Sequence, residues 1–139
     1  MMEWMILPYK RYFDFQGRSR RKEYWMFILL FVIVYAVFGA LMFSGGAAMN
    51  AAGAAEPGAM FYVGAGLIGI FVLASFIPAL AVQVRRFHDQ DRSGWFVLLN
   101  FIPYLGGLIV LVFMVLDGTK GPNRFGPDPK DPDGADVFS

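Results

Sequence analysis

Three long stretches of this 139-residue chain are nearly free of charge: Trp25 to Phe43, Met60 to Val84, and Trp95 to Leu116. A helix rises about 1.5 Å per residue and the hydrocarbon core of a bilayer is roughly 30 Å thick, so each stretch is long enough to cross once. Lipid offers no partners to backbone N–H and C=O groups, and the stretches show no alternating strand pattern, so they are read as helices. The composition agrees, with 57% hydrophobic and 17% charged residues, a membrane balance rather than that of a soluble domain.

The charges that remain are unevenly placed. Residues 1 to 24 hold Lys10, Arg11, Arg18, Arg20, Arg21 and Lys22, the segment between the second and third stretches holds Arg85, Arg86 and Arg92, and the first connection holds no Lys or Arg. The positive-inside rule then puts the N-terminus and the second connection in the cytoplasm. Three crossings would put the first connection and the C-terminal tail outside. Glu3 and Pro8 interrupt the first nine residues, so the first span is expected to serve as an uncleaved insertion signal. Cysteine is absent, which excludes disulfides, thiolate metal sites and cysteine nucleophiles.

Tyr9 to Phe15 reads as a short amphipathic helix in the membrane interface, with Tyr9, Tyr12 and Phe13 opposite Lys10, Arg11 and Asp14. Ser19 is the expected N-cap of the first span. Gly64, Gly66 and Gly69 form a G-x-G-x-x-G pattern, but without a preceding strand it signals packing rather than dinucleotide binding. Ala65 with Gly69, and Ala36 with Ala40, are the expected close-approach pairs, and Pro78 is expected to kink the second span. Asn100, Pro103, Gly106 and Gly107 interrupt the third stretch; its length favours one crossing over a hairpin whose arms would each be too short to span. The fold expected is an all-α membrane protein of about three transmembrane helices, preceded by an interfacial helix. Residues 1–126 form one membrane domain with spans at about 25–43, 60–84 and 95–116, and 127–139 form a disordered polar tail.

Three blocks flank these spans: FQGRSRRKEYW at Phe15 to Trp25, RRFHDQDRSGW at Arg85 to Trp95, and GPNRFGPDP at Gly121 to Pro129. Together, in that order, they resemble the signature of the YhaH-type small inner-membrane proteins, the family known as domain of unknown function 805. The resemblance runs from about Tyr9 to Pro129. It implies a bacterial inner-membrane location and supplies no reaction.

Arg18, Arg20, Arg21, Arg85, Arg86 and Arg92 are the candidate anion or lipid head-group ligands, since guanidinium groups grip phosphate in bidentate fashion. The plainer reading is that they fix orientation and snorkel to lipid phosphates. His88, the sole histidine, and Asp89 are weak candidates for acid–base work. Asp89, Asp91 and Gly94 are read first as residues that shape a tight loop, with Asp91 able to cap the third helix. Asn123, Arg124 and Phe125 make a tail motif that could join the arginines only if the tail were cytoplasmic. Tyr35, Ser75 and Tyr104 fall at similar depth and could hydrogen-bond between helices. Metal binding is not expected, because His88, Asp89 and Asp91 are near neighbours that rarely converge on one ion. No cofactor and no nucleic-acid partner is expected. The function anticipated is a non-enzymatic binding or adaptor component that engages membrane lipids, with a protein partner or a second copy as further partners. A membrane enzyme acting on a phosphorylated lipid is the alternative, followed by a small-molecule transporter, which the absence of ionisable residues inside the spans disfavours.

Overall fold

The computed structural model describes residues 1–131. Helices account for most of it: α1 (Met2–Lys10), α2 (Arg21–Ala52), α3 (Ala59–Asp89), a 3₁₀ helix (Gly94–Phe101) and α4 (Gly106–Val115). No strand forms among the described residues; two isolated bridges, Asn123 with Gly126 and Asp128 with Asp131, pin turns in the tail. Two helices, α2 and α3, are long and apolar enough to cross a membrane. They extend beyond the charge-free stretches at both ends, which shortens the first connection to residues 53–58.

The described residues divide into two compact units, residues 28–76 and residues 1–27 with 77–131. In the first, α2 and α3 pack through aromatic edges: Phe31 and Tyr35 meet Phe71 with ring centroids 4.9 and 6.1 Å apart. Their closest approach is at Gly64, where a Cβ would come within 2.7 Å of Met42 Cγ and of the Phe38 carbonyl oxygen, and at Gly45, which lies against Phe61. The expected pairs do not mark this contact: nothing lies within 4 Å of a Cβ built on Gly69, and Ala36 and Ala40 are exposed. Outward-facing Val32, Val37, Phe43 and Leu73 are exposed, as a lipid-facing surface requires.

In the second unit the third hydrophobic stretch is not one continuous helix. It breaks at Pro103 into the 3₁₀ helix and α4, which pack on each other. Pro103 has no N–H to continue a helix, Tyr104 takes φ 67, and Gly106 packs so closely on the Leu99 carbonyl that a Cβ would overlap it. Eight 3₁₀ residues reach about 16 Å and ten α residues about 15 Å, so each arm covers about half of a ~30 Å hydrocarbon core. Tyr104, at the tip, is fully exposed.

The entry to α2 also differs from expectation. The N-terminal helix lies at Met2–Lys10, and the chain has left it by Arg11. Asp14 draws residues 11–16 into a turn, accepting from Arg11 Nε at 2.9 Å and the Gln16 N–H at 3.1 Å, a local alternative to helical bonding. Ser19 precedes the first turn of α2 and its hydroxyl is used elsewhere, accepting from Arg85 Nε at 2.7 Å.

Candidate functional site: a buried arginine clamp

Arginine needs several acceptors once it is taken out of water. Arg18, Arg85 and Arg86 are buried, with side-chain exposures of 1%, 0% and 0%. Two carboxylates sit among them. Asp89 accepts from Arg18 at 2.9 Å through one oxygen and from Arg86 at 2.7 Å through the other. Glu23 accepts from Arg85 at 2.8 Å, with Arg11 at 3.7 Å on its second oxygen.

Three buried cations against two buried anions leave one positive charge in excess, and backbone carbonyls absorb it. Arg18 donates to the Thr119 carbonyl at 2.5 Å and the Gly121 carbonyl at 2.7 Å. Arg86 donates to the carbonyls of Ser19, Met114 and Leu116 at 3.2, 3.3 and 2.8 Å. Arg85 donates to the Asp14 carbonyl. These bonds do a second job: the last carbonyls of a helix have no intrahelical partner, and at the end of α4 Arg86, Arg21, Trp25 and Gln90 side chains supply donors to Leu116, Val115, Met114 and Phe113.

Of the candidate arginines, Arg18, Arg85 and Arg86 therefore converge, on carboxylates and carbonyls of the chain itself. Asp89 has both oxygens engaged and its side chain is 3% exposed. Its partners are Arg18 and Arg86. Arg20 and Lys22 lie over the Trp4 ring at 5.4 and 5.0 Å. Arg21 pairs with Asp117 at 3.5 Å on the surface, and Arg92 is exposed, over the rings of Phe96 and Phe113 at 5.7 and 4.8 Å.

The tail motif lies against this clamp. Asn123 donates to the His88 carbonyl at 2.9 Å and to Thr119 Oγ1 at 2.8 Å. Phe125 stacks flat on His88, centroids 4.0 Å apart. Arg124 pairs with Asp91 at 3.2 Å; Asp91 takes φ 56 and does not cap the next helix. That role falls to Ser93, whose hydroxyl accepts from the Trp95 N–H at 3.3 Å. Gly94 packs on α3, where a Cβ would come within 2.7 Å of Val84 Cγ1. The first residues of the expected disordered tail are turned: Asp128 accepts from the N–H groups of Gly121 and Lys130. Burial alone would push that carboxyl up, but these bonds and nearby cations hold it below the ordinary carboxylate value. Lys130 hydrogen-bonds Asp117 and lowers its pKa likewise. Residues 132–139 lie outside the described residues. Among the described residues, no group of three or more His, Asp or Glu side chains converges as metal ligands would.

All three sequence blocks thus meet at one end of α2 and α3. A family model described as a protein of unknown function, DUF805, matches residues 12–127. The chain belongs to the DUF805 family. Two relatives from Escherichia coli K12 carry the match over almost their whole length: inner membrane protein YhaH is 46% identical, covering 93% of this chain and 98% of the relative. Inner membrane protein YhaI is 41% identical, covering 93% and 97%. The uncharacterised E. coli protein YiiR is 28% identical over 86% of this chain and 88% of its own. No solved structure matches. DUF805 membership, inner-membrane relatives and two membrane-capable helices make this an all-helical membrane protein. Glu23, Ser19 and Thr119 are site residues that sequence reasoning did not single out as such. The signal for Glu23 was an acid placed immediately before Tyr24 and Trp25 at the start of the first apolar stretch.

Proposed function

We propose that this chain is a non-enzymatic inner-membrane component that crosses the bilayer twice, keeps both termini in the cytoplasm, and engages anionic lipid head groups through surface cations around α1. Orientation rests on charge. With the third stretch folded into a half-depth hairpin, residues 1–24, 85–92 and 117–131 share one side, and all twelve Lys and Arg residues fall in those segments. The connection at 53–58 carries only Glu56. Positive-inside then points one way.

The observation that carries the binding role is the separation of the arginines into two classes. Arg18, Arg85 and Arg86 are consumed internally, which makes them a clamp. Arg20 and Lys22 instead lie over Trp4 of α1, with exposed Arg21 alongside in sequence, and an aromatic ring flanked by cations suits the head-group layer. Each such cation contributes about 1 kcal/mol of attraction to an anionic surface.

The test is lipid composition around the full chain extracted in polymer-bounded native membrane discs. Wild-type protein is expected to be enriched in anionic lipid over the bulk membrane, and the triple variant Arg20→Gln, Arg21→Gln, Lys22→Gln to fall to bulk composition while remaining folded. Equal enrichment in both would overturn the lipid role and favour a protein partner.

A further inference from the structure

One histidine nitrogen and a greasy trough are used by nothing described so far. A cleft of about 510 Å³ opens beside the clamp, lined mainly by Phe15, Val84, His88, Trp95, Val97 and Phe125. It adjoins a second hollow of about 430 Å³ running along Leu98 and Leu99 of the 3₁₀ helix to Ile102 just beyond it, and the two share Ser93 and Trp95. The result is an apolar trough that runs down one arm of the half-depth hairpin and ends at an imidazole. Trp95, between the two hollows, is 77% exposed.

The chemistry of the polar end is fixed by a hydrogen bond on the far side of the ring. His88 Nδ1 lies 3.0 Å from the Gly17 carbonyl oxygen. A carbonyl only accepts, so Nδ1 carries the proton, and in the neutral ring Nε2 is left as an acceptor. Nε2 lies toward Gly94, which lines the cleft: a Cβ on that glycine would come within 3.2 Å of it. The absence of a side chain at residue 94 keeps the nitrogen open to the cleft. Beside it, Arg124 lies over the Phe125 ring at 4.7 Å, with its side chain 61% exposed.

An apolar trough at the membrane surface, a hydrogen-bond acceptor at its polar end and an exposed cation next to that acceptor describe an amphiphile. It needs an acyl chain, a donor and a negative charge. We propose that the trough holds one phospholipid of the phosphatidylglycerol type, its chain along Trp95, Leu98 and Ile102, its head-group hydroxyl donating to His88 Nε2 and its phosphate facing Arg124. Phosphatidic acid lacks the alcohol, and the ammonium of phosphatidylethanolamine would lie beside Arg124. The site is separate from the cations around Trp4 and does not depend on them.

The discriminating pair of lipids is phosphatidylglycerol and phosphatidylmethanol, which carry the same charge but differ in head-group hydroxyls. Native mass spectrometry of the detergent-solubilised full chain, titrated with each lipid, reads the first bound copy. Wild type is expected to bind phosphatidylglycerol roughly fivefold more tightly, the equivalent of one net hydrogen bond. His88→Phe keeps a ring to stack on Phe125 but removes the acceptor, and is expected to bind both lipids equally. Trp95→Ala, at an exposed position, is expected to weaken both lipids with the fold intact. The proposal is overturned if wild type does not discriminate, if His88→Phe retains the preference, or if Trp95→Ala binds as wild type does. Should His88→Phe fail to fold, the wild-type preference and the Trp95→Ala result still decide. The Arg20, Arg21, Lys22 variant should leave the preference unchanged, which separates this site from the surface patch.

Discussion

Replacing Asp89 with alanine removes a carboxylate that serves two arginines at once. Arg18 and Arg86 have side-chain exposures of 1% and 0%, so neither guanidinium can turn to water without local unfolding. Removing one partner of a buried ion pair typically costs about 3–5 kcal/mol, because the remaining charge is left uncompensated. Asp89 leaves two such charges, although the carbonyls of Thr119, Gly121, Ser19, Met114 and Leu116 still accept from them. The expected loss is therefore about 5 kcal/mol, at the upper end of that range. Glu23→Ala strands chiefly Arg85, which keeps Ser19 Oγ at 2.7 Å, and should cost about 3 kcal/mol. Unfolding in mixed dodecyl maltoside and sodium dodecyl sulfate micelles gives the ranking. Hydrogen exchange over residues 117–126 shows whether the tail loosens first, as the loss of the Arg18 anchor requires. A cost below about 1 kcal/mol for Asp89→Ala, a value usual for exposed pairs, would refute the reasoning, as would a larger cost for Glu23→Ala.

Two further outcomes follow from the broken third stretch. In intact cells, a membrane-impermeant thiol reagent should label a cysteine placed at Ser44 and spare cysteines placed at Arg92 and Lys120; labelling of Lys120→Cys together with Ser44→Cys would restore the single crossing. Gly106→Ala should destabilise the hairpin by about 1–3 kcal/mol, the usual cost of overpacking, because its Cβ would overlap the Leu99 carbonyl. Gly107→Ala, with nothing within 4 Å, should be neutral in the same micelle unfolding assay.

The membrane class was legible because it rests on composition over stretches of about 20 residues, and no tertiary contact can disguise that. The break within the third stretch was less legible. Length licenses a span only if the chain is helical throughout, and Pro103, Tyr104 at positive φ and the tightly packed Gly106 break it after eight residues of 3₁₀ helix. The arginines of the site were visible as residues but not as a filled cluster. Their partners lie 62 residues away for Arg85 with Glu23 and 71 for Arg18 with Asp89, and no local pattern reports contacts at that separation. Ser19 illustrates the same limit: read locally it is a helix cap, yet its hydroxyl belongs to Arg85. The three blocks were recognisable as a set by their resemblance to a known family, and each supplies residues to the clamp or to the contacts around it.

Synthesis order gives the clamp a further meaning. Arg18 is made early, yet two of its acceptors, the Gly121 and Gly126 carbonyls, lie 103 and 108 residues downstream. Ribosomes deliver residues one at a time, so α2 and α3 are complete while Arg18 still waits for its tail contacts. A nascent chain that stops before Thr119 leaves the Arg18 guanidinium without its tail acceptors, the carbonyls of Thr119, Gly121 and Gly126. The last block to be translated is thus the one that signs off the first.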